Sequence, residues 1–170
     1  AAGTYAMTGL MPSTSAPWLR ADTQALINRL LISYQKAFAH PLLVCDQGIQ
    51  FDRTAAQELF ASPIAVLAHD HSADPLLTYA NGAALRIWGH NWATMVGMPS
   101  RLTAEESARG ERASALQQAH QNAGFKGYCG IRINQAGRRF MIHNARIWPL
   151  WNESNAVCGQ AAAFSSWWWL

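Results

Sequence analysis

The chain has 170 residues, of which 50% are hydrophobic and only 14% charged, with a formal net charge of +3. This length suits one domain with extensions and a sizeable core, and the low charge and eight Trp indicate either a covered surface or a Trp-rich core. No run of Lys or Arg resembles a nucleic-acid tail and no apolar run approaches the roughly 20 residues that span a bilayer, so nucleic-acid binding is disfavoured and no transmembrane segment is predicted.

The N-terminal part is predicted to be an extended tail followed by helices. Residues 1–17 start without Met and are rich in small residues and Pro, as expected of a tail left by processing or truncation. Residues 18–61 are predicted to be a helical extension. Its main helix, capped by Asp22 or Thr23 and ending near Phe38, has an apolar stripe that needs a groove on this domain or on a partner. The stripe contains Leu26, Ile27, Leu30, Leu31, Tyr34 and Phe38.

A shorter helix is predicted around Thr54–Phe60, because Thr54 and Gln57 have the spacing of a capping box. Residues 62–170 then form the main domain, with the order β-β-α-α-α-β-β-β. Short apolar runs bounded by Pro, Gly and polar residues predict the strands, and capping residues predict the helices. The strands are expected at Pro63–Ala68, Leu76–Ala80, Phe125–Asn134, Arg138–Trp148 and Ala156–Phe164, and the helices after Asn81, at 91–97 and at 103–122.

The junction at Asn81 is the most informative local feature. A strand ends there, and Asn is a preferred N-cap because its side-chain oxygen accepts a bond from the first helical turn. The following residues, through Trp88, form a small, tightly packing apolar face. The fold class is therefore α+β, a PAS-like five-stranded antiparallel sheet with helices on one face, preceded by an N-terminal amphipathic helix.

Few residues suggest chemistry. The cluster of His69, Asp70, His71 and Asp74 is more typical of a polar turn than of a metal site. His120 lies where a haem-binding PAS domain has its axial ligand, but one such residue does not make a haem pocket. No phosphate loop, nucleophile elbow or catalytic set is present in the sequence. We therefore predict no catalytic residues, no resident metal and no cofactor, with haem or a small apolar ligand as disfavoured alternatives.

Three cysteines, Cys45, Cys129 and Cys158, are odd in number and contain no CxxC pair. This argues against a disulfide framework and a zinc site and favours a reducing compartment. Cys129 is predicted to lie in a strand among apolar residues, where Cys usually acts as a small hydrophobe. A flavin-adduct cysteine would need a helix instead, so no blue-light photocycle is expected.

Five arginines near the predicted sheet allow two interpretations. They could recognise an acidic ligand or partner, or they could be solvent-facing residues paired with Glu105, Glu106 or Glu111. Exposed pairs of that kind contribute only ~0–1 kcal/mol each. The five are Arg101, Arg132, Arg138, Arg139 and Arg146.

Several motifs in one order resemble the MEKHLA domain, a PAS-like family, from about Trp18 to the C-terminus. The resemblance is to its stand-alone form in algae and cyanobacteria, since the homeodomain and zipper of the land-plant transcription factors are missing. His143 departs from the acidic residue expected in the Arg-Phe-x-Ile-Glu pattern. The motifs are Ala68-His69…Asp74-Pro75, Tyr79-Ala-Asn81-Gly-Ala-Ala-Leu…Trp88, Pro99-Ser-Arg101-Leu-Thr-Ala104-Glu, Gly124-Phe…Tyr128-Cys-Gly130-Ile-Arg132-Ile, Gly137-Arg-Arg-Phe140, Asn144-Ala…Trp148 and Gly159-Gln160-Ala-Ala.

The resemblance implies a non-enzymatic regulatory or protein-interaction module, docking onto a larger protein assembly in a plastid. The alternatives are an accessory or assembly subunit of a photosynthetic complex and a small-ligand sensor, whose apolar pocket should reach roughly 300 Å³. Peripheral membrane contact stays open. The candidate pocket residues are Tyr79, Asn81, Leu85, Trp88, Ile131, Phe140 and Ile142, and the candidate partner-binding residues are Leu26, Leu30, Tyr34, Trp167, Trp168 and Trp169.

Overall fold

The computed structural model describes residues 16–44, 53–105 and 123–170. Within these ranges the chain forms α-helices, strands and short 3-10 turns at Pro17–Leu19 and Ser100–Thr103. The helices are α1 (Ala21–Phe38), α2 (Arg53–Ala61), α3 (Gly82–Trp88) and α4 (Trp92–Met95), and the strands are β1 (Ala65–Asp70), β2 (Leu77–Ala80), β3 (Phe125–Ile133), β4 (Arg139–Trp151), β5 (Val157–Phe164) and β6 (Ser166–Trp169). The helix predicted over 103–122 lies, beyond residue 105, outside the described residues.

All strands belong to one antiparallel sheet with the order β2-β1-β5-β4-β3. The predicted PAS-like α+β fold is thereby confirmed. β6 pairs with the start of β4, with Trp167 opposite Ile142 and Trp169 opposite Phe140. This sixth strand was not predicted, because the three consecutive Trp residues after Ser166 show no alternation of apolar and polar residues.

The side chains of the strands alternate between two hydrophobic clusters, one on each face of the sheet. We call the inner face the side that bears Leu67 and Phe164, which pack with α3 and α4. The outer face bears Val66, Trp148 and Ala163, which pack with α1. Successive side chains of a strand point to opposite faces, so α3 and α4 lie on one side of the sheet and α1 on the other. The prediction had helices on one face only, and the second face is covered by the N-terminal helix.

The apolar stripe of α1 finds its groove on this domain. Leu30 and Leu31 are fully buried against the outer face, and the indole Nε1 of Trp148 donates to the Leu30 carbonyl at 3.2 Å. The predicted cap was wrong, because the helix begins at Ala21 with Arg20 as its N-cap and no side-chain capping bond. The C-terminus near Phe38 agrees with the prediction, and Ala39 ends the helix in the left-handed region at φ 62°.

α2 also differs at its start from the prediction. Arg53, the first described residue of this segment, is already helical, so Thr54 lies within α2. The Gln57 side chain accepts a bond from Trp18 Nε1 at 3.2 Å. Trp18 also stacks on Phe60 with ring centroids 3.6 Å apart. The predicted capping box is therefore replaced by contacts that hold the turn before α1 against α2.

No helix in the described parts of the chain is both long and apolar enough to cross a membrane.

Candidate functional site

A cavity lies between the inner face of the sheet and the segment that follows α4. Its volume is about 60 Å³, so it does not reach the roughly 300 Å³ that was predicted for a ligand sensor and that marks the low end of usual small-molecule sites. We call it the inner cavity. Most of its wall is apolar, and its polar side chains come from β1, β3, β5 and the 3-10 turn. The polar lining residues are His69, Ser100, Thr103, Tyr128, Arg132 and Gln160.

Arg132 is the central polar residue of this cavity. It is only 7% exposed, and its guanidinium donates to the Ile131 carbonyl and to Tyr128 Oη, both at 2.9 Å. Its Cζ also lies 5.3 Å from the centroid of the Tyr128 ring. No carboxylate forms an ion pair with Arg132 among the described residues, whose ion pairs are formed by Arg101 and Arg139. A buried cation of this kind is rare unless something balances its charge.

Two irregularities in the β3–β4 pairing bring Arg132 to the inner face. The register shifts on both sides of Tyr128, and Gly127 and Asn144 have left-handed φ values of 80° and 55° at these points. In β4 the residues facing the inner cluster change from Phe140 and Ile142 to Ala145 and Ile147. A β-bulge causes such a change, since one extra residue exchanges the two faces.

Gly130 makes room for the polar pair. It lies between Tyr128 and Arg132 on the same face of β3. A Cβ at residue 130 would overlap Tyr128 Oη and would come within 3.1 Å of Arg132 Nη1. The alternation of Tyr128, Gly130 and Arg132 was the signal in the sequence that these side chains share one face.

The predicted pocket residues are only partly brought together. Trp88 and Ile142 line the inner cavity, and Trp88 Nε1 donates to the Thr103 carbonyl at 3.2 Å. Leu85 and Phe140 belong to the inner cluster but do not line the cavity. Ile131 lies on the other side of β3, because Arg132 faces inward and neighbouring strand residues alternate.

Tyr79 packs in the outer cluster, away from the inner cavity. Burial raises the pKa of its phenol well above the ordinary range, and its Oη has no hydrogen-bond partner among the described residues. Its ring meets that of Trp92 edge-on at 5.6 Å. The side chain therefore fills the core and does not contribute to a pocket on the inner face.

Asn81 is the predicted N-cap of α3. Its Oδ1 accepts from Ala84 N at 3.2 Å and from Val66 N at 2.9 Å. Its Nδ2 donates to the carbonyls of Leu59 at 3.0 Å and Ile64 at 2.7 Å. The side chain is fully buried and bonded at both ends, so its role is to join α3, β1 and the end of α2, and it does not face the cavity.

The candidate partner-binding residues divide into two groups. On α1, Leu30 and Tyr34 are 0% and 2% exposed under the outer face and Leu26 is half-buried, so two of the three are covered by this domain itself. In β6, Trp168 is 47% exposed, while Trp167 and Trp169 are half-buried against Phe140. Only the β6 group presents an exposed aromatic surface.

The other four arginines have ordinary surface contacts. Arg101 pairs with Asp74 at 3.2 Å, and Arg139 with Glu105 at 3.7 Å. Arg138 lies over the Trp169 ring at 4.2 Å, and Arg146 donates to Tyr34 Oη. The interpretation of these arginines as paired surface residues fits Arg101 and Arg139, whereas Arg132 differs from all of them by its burial.

The polar segment after β1 forms a turn. Asp70 Oδ1 accepts from Ser72 Oγ at 2.6 Å, from Ser72 N at 3.2 Å and from Leu76 N at 3.0 Å. The Ser72 hydroxyl bond, helped by these backbone bonds, lowers the pKa of the Asp70 carboxyl. Within the described parts of the chain no group of three or more His, Cys, Asp or Glu could hold a metal ion.

Comparison with known proteins gives one family. The family model of the MEKHLA domain matches residues 24–169. No curated protein matches the chain.

Solved structures with the same fold are PAS and light-oxygen-voltage domains. The PAS domain of a protein from Colwellia psychrerythraea is 14% identical with a TM-score of 0.59, covering 65% of this chain and 92% of that one. An RNA-binding light-oxygen-voltage receptor is 21% identical with a TM-score of 0.60, covering 73% of this chain and 35% of the receptor. A light-oxygen-voltage domain studied with a flavin analogue is 12% identical with a TM-score of 0.54, covering 69% and 84%. At these identities the likeness shows the fold alone.

The inner cavity does not fit a flavin. Its volume of about 60 Å³ is too small for a three-ring cofactor. Cys129, the cysteine of β3, is exposed and adjoins Tyr128 and Gly130, which face inward. His120, the candidate haem ligand, lies outside the described residues.

Proposed function

This chain belongs to the MEKHLA domain family, and we propose that it is a non-enzymatic regulatory module that senses a small molecule in its inner cavity. One observation carries the proposal: a cavity on the inner face contains a buried arginine, Arg132, together with further polar side chains. Buried polar groups of this kind cost stability unless they are satisfied. A fold optimised only for packing would have an apolar residue at that strand position.

The cavity volume limits the ligand to a few non-hydrogen atoms. A cavity needs only about 10–15 Å³ of such volume to hold one water molecule, so a cavity of about 60 Å³ admits a small metabolite and excludes drug-sized compounds. Binding would stabilise the segments that meet at the cavity, namely β1, β3, β5 and the turn at Ser100–Thr103. A ligand that binds one arrangement of these segments better than another shifts their populations.

A thermal-shift screen of the full chain against small metabolites of varied charge tests this proposal. We expect at least one compound to raise the melting temperature saturably. Ala162→Leu, which fills the inner cavity from β5, should abolish the shift while far-UV circular dichroism stays unchanged. Ile32→Ala, at a residue 57% exposed on α1, is the control and should respond like the wild type. A screen without any saturable binder contradicts the sensing role.

The exposed edge of β6 favours a second candidate, the docking of a protein partner. Trp168 and Leu170 are 47% and 52% exposed. Beside them an open groove of about 240 Å³ is lined by Arg86, Ile87, Trp167 and Trp169, among others. Exposed Trp is enriched where protein interfaces bury their centres. The plastid location and the large assembly that the sequence resemblance implies belong to this candidate as predictions.

Affinity purification from native tissue tests the docking candidate. The bait is the full chain, and the matched variant is Trp168→Glu, with Ile32→Glu as the control for an exposed apolar residue far from β6. We expect Trp168→Glu to lose proteins that both other baits retain. Identical sets of proteins from all three baits would exclude β6 as the docking surface, and a fluorescent fusion of the chain would show whether it enters a plastid.

A further inference from the structure

We infer that the ligand of the inner cavity is a short aliphatic monocarboxylate, bound by Arg132 and Tyr128. This inference rests on the proposed sensing function and names the ligand class of the same site. Its starting point is the charge of Arg132, which is buried in a cavity without a carboxylate partner among the described residues.

Hydrogen-bonding capacity at Arg132 points to an anion. A guanidinium has five N–H donors in a planar fork that matches a carboxylate. The described residues accept from it at the Ile131 carbonyl and at Tyr128 Oη. Donors therefore remain for an acceptor in the cavity, and a buried guanidinium binds a charged acceptor more strongly than a neutral one.

Tyr128 adds a second donor beside the first. Its Oη accepts from Arg132 Nη2, so its own hydrogen is available to donate elsewhere. No described residue accepts that hydrogen. Arg132 and Tyr128 together thus present an N–H and an O–H from neighbouring positions, an arrangement that suits the two oxygens of one carboxylate.

The apolar side chains of the cavity wall favour an aliphatic group beside the carboxylate. Arg132 is the only Arg or Lys among the described residues that line the cavity, so the lining matches a single carboxylate. The side chains of Ile142, Ala145, Ile147 and Phe164 suit an alkyl group, and sulfate or phosphate would place oxygens against them. In a monocarboxylate with a short alkyl chain, the carboxylate can accept from Arg132 and Tyr128 while the alkyl group contacts the apolar side chains. The cavity volume of about 60 Å³ excludes long chains.

Isothermal titration calorimetry of the full chain with sodium propionate tests the inference. Propionamide is the neutral isostere, and sodium sulfate at equal ionic strength is the control for nonspecific anion binding. We expect saturable binding of propionate. Propionamide and sulfate should bind at least about tenfold more weakly, because a charge-assisted bond is worth roughly 1.5–3 kcal/mol and each 1.4 kcal/mol is tenfold in affinity.

Three variants locate the binding. Arg132→Gln should weaken propionate binding at least about tenfold, and Tyr128→Phe about fivefold, as expected for one hydrogen bond. Arg20→Gln, at an exposed arginine next to α1, should bind like the wild type. If Arg132→Gln fails to fold, Tyr128→Phe and the propionamide comparison decide the question on their own.

The outcomes separate this inference from the sensing function. If propionate does not bind, or binds no more tightly than propionamide or sulfate, or binds equally to folded Arg132→Gln and Tyr128→Phe, the carboxylate inference is overturned. A saturable neutral or cationic compound in the metabolite screen would then preserve the sensing function with another ligand. Failure of every compound overturns both.

Discussion

The two faces of the sheet come from alternate residues of the same strands, yet they are packed differently. The outer face is closed by α1, with Leu30 and Leu31 completely buried and Trp148 bonded to the α1 backbone. The inner face retains a cavity and buries Arg132 and Gln160 at 7% exposure each. Empty volume in a core lowers stability, so we expect the outer face to contribute more to stability than the inner one, where the proposed ligand site lies.

The largest effect is expected from the outer face. Trp148→Ala removes a fully buried ring that packs on Tyr34 and Phe38 and donates to the Leu30 carbonyl. The free energy of unfolding should fall by about 3–5 kcal/mol, as for other large-to-Ala changes in cores. Denaturant unfolding of Trp148→Ala measures it. Trp168→Ala in the exposed edge is the control, and an equal loss in both variants would contradict the role of the outer face.

The second-largest loss of stability is expected at Asn81, whose side chain joins α3 to β1 and to the end of α2. Asn81→Ala should lower the free energy of unfolding by about 2–4 kcal/mol, because Asn81 satisfies two N–H groups and two carbonyls in the buried layer. Asn91 caps α4 with a capping box at the surface, and Asn91→Ala should cost only about 1 kcal/mol. Chemical denaturation compares the two caps. Equal losses would mean that Asn81 acts as a cap alone.

Adding volume should distinguish the faces directly. Ala163 is 5% exposed in the outer cluster, so Ala163→Val should overpack it and cost about 1–3 kcal/mol. Ala162, which precedes Ala163 in β5, lines the inner cavity. Ala162→Val should therefore change the free energy of unfolding by less than about 0.5 kcal/mol, because the added methyl groups enter the cavity. Unfolding curves of both variants test this. A larger loss at Ala162 would show that the inner cavity cannot accept a methyl group.

The smallest effect is expected at the turn after β1, where Asp70 is only half-buried. The Ser72 hydroxyl bond lowers the pKa of Asp70 in the folded state, so its stabilisation is present above the unfolded pKa of about 3.9 and is lost as the pH falls through the folded value. Asp70→Asn should therefore show a shallower fall of the melting temperature below about pH 4. Melting curves between neutral and acidic pH measure it, and parallel curves for both proteins would exclude this contribution.

Much of the fold could be predicted from local patterns. The cap at Asn81, the hairpin around Gly137 and the short strands before and after them appear as runs bounded by turn residues, and the MEKHLA motifs kept the same order. These signals lie within a few residues of each other. They therefore do not depend on which distant segment packs against them.

The site was less predictable. Trp88 and Ile142 were assigned to the pocket and line it, but Ile131 was chosen where Arg132 faces inward. Tyr79 was placed on the wrong face, and Leu30 and Tyr34 were assigned to a partner although the outer face covers them. A stripe on α1 predicts that an apolar surface will be buried, but it does not specify the surface that buries it.

The amino-acid sequence by itself determined β1 to β5, the order of the described elements apart from β6, and the family, because caps, turns and apolar runs act over short distances. The tertiary structure alone decided which face of each strand meets the inner cavity and which meets α1. The bulges at Gly127 and Asn144 exchange the two faces within β3 and β4, and they depend on cross-strand register between residues far apart in the chain. That register turns the face shared by Tyr128 and Arg132 towards the inner cavity, where Arg132 has no carboxylate partner among the described residues.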